Sequence, residues 1–273
     1  MCGFAGFWGG EWDQNNSVIN HQLDKMADAM IHRGPDSSGI WINREDKIAF
    51  THRRLAVLDL TESGAQPMSS KNQRYTIAYN GEIYNHLDLR VDLIAKGFKF
   101  RGHSDTETLL ACFEEYGLEK TLTKLNGMFA FALYDAKEKS IFLARDRIGE
   151  KPLYYGWNDN TFFFGSELGS INAHDNFRGK IDRNSIASFL RYNYIPTPYS
   201  IYKKIYKLIP GTFLKIDINK PSHRNKNLPS PKTYWSLDEA ISNKPNGFEV
   251  GDDAAMINSL ESLLLDSISK QMI

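Results

Sequence analysis

The order of strand-like and helix-like segments constrains the fold of this chain more than any other feature. Runs rich in β-branched and aromatic residues predict strands at 47–60, 75–80, 128–135, 140–146, 152–156 and 161–166. Two helical segments separate the second strand from the third, and the sequences DAKEK and WNDN between later strands are typical of hairpin turns. Because this order is not a regular β-α-β alternation, it predicts an α+β fold in which helices cover antiparallel sheets.

Three segments have the apolar periodicity of amphipathic helices, and they are residues 17–32, 86–96 and about 105–116. In the second segment the spacing of Leu87, Val91 and Ile94 predicts that these three side chains face inward. The third segment is introduced by Ser104 and Glu107, which form the sequence pattern of a capping box. The sequence therefore predicts where this third helix begins.

The composition argues against nucleic acid or an anionic membrane as the main partner, although it leaves a local basic patch open. Lys and Arg together number 33, and so do Asp and Glu, so the chain lacks the basic excess that nucleic acid or an anionic membrane requires. No apolar run approaches the roughly 20 residues that span a bilayer. The two cysteines, Cys2 and Cys112, cannot form a disulfide framework. These features predict a cytoplasmic protein, with Cys112 a buried and inert thiol in the third helix.

The composition changes near residue 217, and this change divides the chain. Residues 1–217 are expected to form one domain. Residues 218–251 are rich in Asn, Lys, Pro and Ser, which is typical of a linker or a long surface loop. Residues 252–273 predict an amphipathic helix with an apolar stripe, which either folds back on the first domain or opens a further one.

Cys2 follows the initiator methionine directly, and its position alone favours a frayed, unremarkable residue. Removal of Met1, which is readily achieved when a small residue follows, would give Cys2 a free α-amine. Such an amine titrates at about 7.7–8.0 and could act as the base for the thiol of its own residue. The first ten residues alternate small and large side chains like a buried strand, which would hold the thiol in place.

Three further positions are candidates for a site. Asn80 and Gly81 have the sequence of a hairpin turn, yet an amide side chain beside a glycine N–H also suits an oxyanion hole, with Glu82 close by. Arg53 and Arg54 lie on a strand and are either solvated or bind a carboxylate. Asp105 is expected in the first turn of a helix, where it could also receive an ammonium group. Together, an arginine, an acid and a thiol describe a site for glutamine.

Two charged motifs have simpler interpretations. Residues 32–36, HRGPD, are mostly explained as the end of the first helix. Residues 145–155, RDRIGEKPLYY, could be a solvated connection between strands. The sequence contains no zinc-ligand spacing, phosphate-binding glycine loop or serine-hydrolase motif that survives inspection, and no metal ligand is expected.

The motifs in their order resemble the glutaminase domain of glutamine-hydrolysing asparagine synthetases, which are class II amidotransferases of the N-terminal-nucleophile type. The resemblance extends to about residue 215 and rests on Cys2 with its glycine, HRGPDSSGIW, HRRLAVLDL, GAQPM, YNGEIYNH, HSDTETLL, GMFAFALYD, ARDRIGEKPLYY and FGSEL. Other class II amidotransferases share the N-terminal cysteine and the Asn-Gly pair, but they differ around the arginine and lack RGPD in this form.

This resemblance implies a four-layer αββα sandwich of two antiparallel sheets. It implies that Cys2 attacks the γ-amide of L-glutamine, that Asn80 and Gly81 form the oxyanion hole, and that the products are glutamate and ammonia. Arg54, rather than Arg53, would bind the glutamine carboxylate. The substrate-binding residues implied are Arg54, Leu55, Ala56, Val57, Leu58, Asn80, Gly81, Glu82 and Asp105.

The family also implies a synthetase domain that this chain lacks. Relatives amidate aspartate or another carboxylate in an ATP-pyrophosphatase domain marked by Ser-Gly-Gly-x-Asp-Ser, which is absent here. Residues 252–273 would be the first helix of that domain, and ATP and magnesium would act there, with no cofactor in this chain. The acceptor domain is the expected partner, and a homodimer is left open. The alternative function is a non-catalytic glutamine-binding or scaffold domain.

Overall fold

A computed structural model describes residues 1–12, 16–220, 228–242 and 253–272 of the chain. The first of its two antiparallel sheets has the strand order β10-β8-β9-β1-β3-β2. These strands are β1 (Gly3–Gly9), β2 (Ser37–Asn43), β3 (Ile48–Arg54), β8 (Tyr154–Asn158), β9 (Thr161–Gly165) and β10 (Ile205–Lys207). Strand β1 therefore lies in the interior of a sheet, which fixes the backbone immediately after Cys2.

The second sheet has the strand order β12-β11-β7-β6-β5-β4. Its strands are β4 (Met68–Ser69), β5 (Tyr75–Ile83), β6 (Gly127–Asp135), β7 (Ser140–Arg145), β11 (Thr212–Asp217) and β12 (Lys232–Thr233). The hairpin predicted at DAKEK connects β6 to β7, and the one predicted at WNDN connects β8 to β9, so both are confirmed.

The helices lie outside the two sheets. They are α1 (Asn16–Asp28), α2 (His86–Ala95), α3 (Asp105–Tyr116), α4 (Leu118–Lys124), α5 (Leu168–Asn172), α6 (Arg183–Tyr192), α7 (Leu237–Ser242) and α8 (Asp253–Gln271). Helices α1 and α5 pack on the first sheet, and α2, α3 and α4 pack on the second. The sheets face each other across a third core that contains Phe4, Phe50 and Leu143. The predicted four-layer αββα sandwich is confirmed.

Burial corrects the predicted face of α2. Leu87, Val91 and Ile94 are 56%, 67% and 55% exposed, whereas Leu89 and Leu93 are buried against the second sheet. Both sets are spaced as helical stripes, so the periodicity of this short helix allows two faces. The choice depends on the side from which β5 and α3 approach, which the sequence of α2 does not contain.

Local signals placed other boundaries correctly. Helix α3 begins at Asp105, and the Ser104 hydroxyl accepts a hydrogen bond of 3.3 Å from the Glu107 amide. The Glu107 carboxylate departs from the capping-box pattern, because it accepts from the amides of Arg101 and Gly102 instead. Cys112 is fully buried in this helix, as predicted.

Sequence analysis did not identify β2, β4, β10, β11, β12, α4, α5, α6 or α7 as elements. Within the segment predicted as a linker, residues 228–242 are described, and β12 pairs with β11 at the edge of the second sheet. Helix α8 agrees with the helix expected near the end of the chain, and its apolar residues Ile257, Leu260 and Leu264 are more than half exposed. In the described ranges, no helix is long and apolar enough to cross a membrane.

The corrected face of α2 gives a stability prediction. We expect Leu93→Ala to lower the free energy of unfolding by about 2–5 kcal/mol, because it leaves a cavity against the second sheet. Val91→Ala, on the exposed face of the same helix, should change it by less than about 0.5 kcal/mol. Urea unfolding followed by circular dichroism measures both. Equal losses for the two variants would contradict the packing of α2.

Candidate active site

A cavity of about 140 Å³ opens between the ends of the two sheets, beside the first residues of the chain. Its walls come from distant parts of the sequence. They include Met1, Cys2, Arg54, Leu55, Val57, Leu58, Asp59, Gly64, Gln66, Tyr79, Asn80, Gly81, Glu82, Ser104, Asp105, Thr106, Met128 and Lys151. Nine of the ten residues expected in the site therefore lie in one cavity wall, and Ala56 is the exception.

Cys2 immediately precedes β1, and contacts with two other segments hold it in place. Its Sγ accepts a hydrogen bond of 3.3 Å from the Leu55 amide and lies 3.5 Å from the Leu55 carbonyl oxygen. Its own carbonyl oxygen accepts a 2.9 Å hydrogen bond from Nε of Arg33. The residue beside the chain terminus is therefore fixed on both sides, although a terminus usually frays.

The Cys2 thiol requires a base before it can act as a nucleophile. Burial raises the pKa of this thiol above its ordinary value, and the Leu55 hydrogen bond opposes the change only in part. A thiol with a raised pKa is largely protonated near neutral pH, and the thiolate is the nucleophilic form. The arrangement therefore needs a proton acceptor close to Sγ.

Asn80 is positioned as a hydrogen-bond donor inside the cavity. It is 1% exposed, and its Nδ2 has no hydrogen-bond partner among the described residues. A buried amide without a partner is costly unless a ligand or water completes it. Gly81 follows on β5, where a Cβ atom would meet the Met128 carbonyl oxygen at 2.3 Å, so only glycine fits. Strand β5 continues through this pair to Ile83, and the hairpin alternative is wrong.

Arg53 and Arg54 point in different directions from β3. The Arg53 guanidinium pairs with Asp28 at 2.5 Å and contacts the Ala27 carbonyl oxygen, so this residue binds helix α1. The Arg54 guanidinium lies in the cavity wall and donates to the carbonyl oxygens of Asp59 and Thr61. Two carbonyl groups of the loop that follows β3 therefore bind the Arg54 guanidinium.

Asp105 and Glu82 place two carboxyl groups in the same wall. Asp105 is 5% exposed, and its Oδ2 accepts from the Tyr79 hydroxyl at 2.7 Å and from the Ile83 amide at 3.0 Å. Burial raises the pKa of the Asp105 carboxyl, and these hydrogen bonds oppose the change. Burial and then the nearby charge of Asp105 raise the pKa of Glu82. Their combined negative charge favours a cationic group in the cavity.

Of the four residues from Leu55 to Leu58, three line the cavity and one does not. Leu55, Val57 and Leu58 line the cavity. The Ala56 amide instead donates a hydrogen bond of 2.8 Å to Asp36, the last residue of the HRGPD motif. This contact connects the motif to the loop that forms one side of the site.

Sequence reasoning missed three residues that support the site. Arg33 binds the Cys2 carbonyl oxygen and pairs with Glu167 at 2.7 Å. Gln66 accepts a hydrogen bond of 2.7 Å from the Tyr79 amide. Lys151 lines the cavity beside Met1. All three lie in motifs that carried the family resemblance, so the motifs were noticed while their contacts were not.

A family model described as a glutamine amidotransferase domain matches residues 1–235. The chain belongs to this family. Its match covers the cavity, both sheets and the helices from α1 to α6.

Two curated relatives of this amidotransferase domain align with the whole chain. One is a glutamine-hydrolysing asparagine synthetase 3 of Bacillus subtilis, which is 36% identical and of which the chain covers 42%. The other is a putative glutamine-hydrolysing asparagine synthetase 2 of Methanocaldococcus jannaschii, 34% identical and covered over 52% of its length. The chain thus spans about half the length of these relatives.

A solved structure supports the fold. The chain resembles the glutamine phosphoribosylpyrophosphate amidotransferase of B. subtilis in complex with ADP and GMP, with a TM-score of 0.56 over 79% of this chain and 47% of that one. The identity is 22%, so the likeness concerns the architecture alone. That architecture is the N-terminal-nucleophile hydrolase sandwich expected from the sequence.

Proposed function

We propose that this chain hydrolyses L-glutamine to glutamate and ammonia through a thioester on Cys2. The observation that carries the proposal is the cavity in which the Cys2 thiol, the unpartnered Asn80 amide and Arg54 converge. The cavity wall also contains Glu82 and Asp105, so together with Arg54 it suits the ammonium and the carboxylate of an amino acid. Membership in the amidotransferase family supports the same substrate.

The first step requires a free α-amine on Cys2, and therefore removal of Met1. The amine accepts the thiol proton, directly or through a water molecule, as Sγ forms a bond to Cδ of glutamine, the carbonyl carbon of the side-chain amide. The resulting oxyanion accepts hydrogen bonds from Nδ2 of Asn80 and the N–H of Gly81. The C–N bond then breaks, and the α-ammonium returns its proton to the departing nitrogen, which leaves as ammonia.

A water molecule completes the reaction by attacking the γ-glutamyl thioester. The α-amine takes a proton from this water, glutamate forms, and the thiol recovers its proton. Arg54 binds the substrate carboxylate as a charge-assisted pair, and Asp105 with Glu82 binds the substrate ammonium. Leu55, Val57 and Leu58 form the adjoining wall, and the hydrogen bond from the Ala56 amide to Asp36 holds this segment in place.

Within a longer protein, the ammonia would amidate aspartate or a related carboxylate. The names of the curated relatives support this role, and residues 218–251 would link residues 1–217 to a synthetase domain that opens with residues 252–273. ATP and magnesium would act in that domain, and we place the protein in the cytoplasm. In the described part of this chain, no group of three or more His, Cys, Asp or Glu side chains could hold a metal ion.

A variant of the oxyanion hole tests the proposed function. We expect Asn80→Ala to lower kcat for glutaminase activity by about 10²–10³-fold with little change in KM, since this donor would act mainly on the transition state. Glutamate release measured by a coupled assay gives both constants. Asn158→Ala, outside the cavity, is the matched control. A fall in kcat below about 5-fold would contradict the assignment of Asn80.

A further inference from the structure

Lys151 is an unusual wall residue because its charge is buried without an ion pair. It is 5% exposed, and among the described residues its ammonium forms no salt bridge, since Glu150, Asp146 and Glu82 act on it only through their charge. Its Nζ instead donates to Sδ of Met1 at 3.1 Å. A thioether is a weak acceptor, and a buried cation is costly unless it is paired or has a function.

The backbone around Lys151 is fixed on both sides. The Asp146 carboxylate accepts hydrogen bonds from the amides of Gly149, Glu150 and Lys151 at 2.6, 2.9 and 2.9 Å. Nε of Arg145 donates to the Lys151 carbonyl oxygen at 2.8 Å. These hydrogen bonds fix the backbone from which the Lys151 side chain enters the cavity. The simpler interpretation of this motif, a solvated turn, is therefore wrong.

The contact with Met1 brings the ammonium close to the reacting residue. Five covalent bonds connect Sδ of Met1 to the Cys2 nitrogen, which spans at most about 6 Å. The Lys151 Nζ therefore lies within about 9 Å of the nitrogen that becomes the α-amine when Met1 is removed. Removal also takes away the acceptor that Nζ has in this structure.

Other charged side chains lie around Cys2 and Lys151, and they come from the neighbouring elements. They are Arg33 after α1, Arg54 on β3, Glu82 on β5, Asp105 on α3, Asp146 and Glu150 in the β7–β8 connection, and Glu167 before α5. Burial lowers the pKa of Lys151, and Glu150, Asp146 and Glu82 oppose this change. These carboxylates favour the charged form of the lysine, in opposition to its burial.

We propose that Lys151 is an electrostatic positioning residue that acts through the Cys2 α-amine and disfavours its protonated form. The proposal rests on the proposed glutamine hydrolysis. A positive charge within about 9 Å keeps more of the amine as the free base at neutral pH. It also makes the α-ammonium a better proton donor to the departing ammonia. The same charge makes the amine a weaker base toward the thiol, so its benefit lies in the larger free-base fraction and in the return of the proton to ammonia.

The test is the pH profile of kcat/KM for glutamine with the Met1-free chain. Lys151→Met removes the charge and retains an unbranched stem, so the amine becomes easier to protonate. We expect the acidic limb to move to higher pH by at least about 0.3–1.4 units, from Coulomb's law at the upper limit of about 9 Å for the separation and effective dielectric constants of about 20–80. Activity below the limb falls by about 2–25-fold, and this loss becomes smaller as the pH rises through the limb.

Two controls separate this effect from a structural one. Lys151→Arg retains the charge, so its acidic limb should lie at the same pH as that of the unmodified chain. Lys137→Met removes a positive charge from the exposed β6–β7 hairpin and should not move the limb. A limb that stays in place in Lys151→Met, or a uniform loss at every pH, overturns the inference. If the unmodified chain without Met1 fails to release glutamate, the proposed function itself is wrong.

Discussion

Replacing Cys2 with alanine should lower glutamate release by at least about 10⁴-fold, because the reaction loses the atom that attacks the amide carbon. The substitution removes one sulfur atom at the edge of the cavity and leaves β1 unchanged, so the thermal midpoint should stay within a few degrees of the original. Release of glutamate and ammonia from glutamine, followed over hours, measures the residual rate.

The second cysteine provides the matched control. Cys112 is fully buried in α3, away from the cavity, so Cys112→Ala should cost some stability and leave the activity unchanged. Alanine at position 2 is also small enough for Met1 to be removed, so both proteins can be compared in the same processed form. Undiminished activity of Cys2→Ala would exclude a Cys2 thioester.

Intact mass belongs in the same experiment, because Met1 would interfere with catalysis in two ways. Its peptide bond removes the basicity of the Cys2 nitrogen, and its side chain lines the cavity and contacts Lys151. A preparation that retains Met1 should therefore be inactive for glutamine hydrolysis and should also bind glutamine weakly. Activity that increases in proportion to the Met1-free fraction is the expected result.

The fold class could be predicted because its signals are local. The hairpins at DAKEK and WNDN, the cap at Ser104 and the alternating pattern of β1 each depend on a few neighbouring residues. The Asn80-Gly81 pair shows the limit of such signals. Its sequence favours a turn, but the long antiparallel pairing of β5 with β6 continues through both residues. Tertiary pairing there outweighs local turn preference.

The supporting contacts of the site could not be predicted in the same way. Arg33 contacts Cys2 across 31 positions of sequence, and Lys151 contacts Met1 across 150. The sequence around each residue can be interpreted without a site, as the end of a helix for Arg33 and as a polar connection between strands for Lys151. Only the folded chain shows that both cations approach the N-terminal residue.

We expect Arg54→Ala to raise the KM for glutamine by about 100-fold and Arg53→Ala to raise it by less than about 3-fold. The loss of a charge-assisted hydrogen bond to the substrate carboxylate accounts for the first value. Arg53 is the matched control, since it precedes Arg54 on β3 but binds Asp28 of α1. Steady-state kinetics on both variants measures the difference, and equal effects would contradict the assignment of Arg54.

A substrate analogue that lacks the α-carboxylate shows whether Arg54 binds this carboxylate or stabilises the loop that follows β3. Arg54 also donates to the carbonyl oxygens of Asp59 and Thr61, so its removal could loosen the cavity wall. With 4-aminobutanamide, which retains the amine and the amide of glutamine, the unmodified chain should already have a low kcat/KM, and Arg54→Ala should lower it only slightly further. If the variant lowers kcat/KM equally for both substrates, Arg54 supports the loop and does not bind the carboxylate. A selective loss for glutamine would instead locate the carboxylate at Arg54, and the γ-amide would then extend toward Cys2 and Asn80.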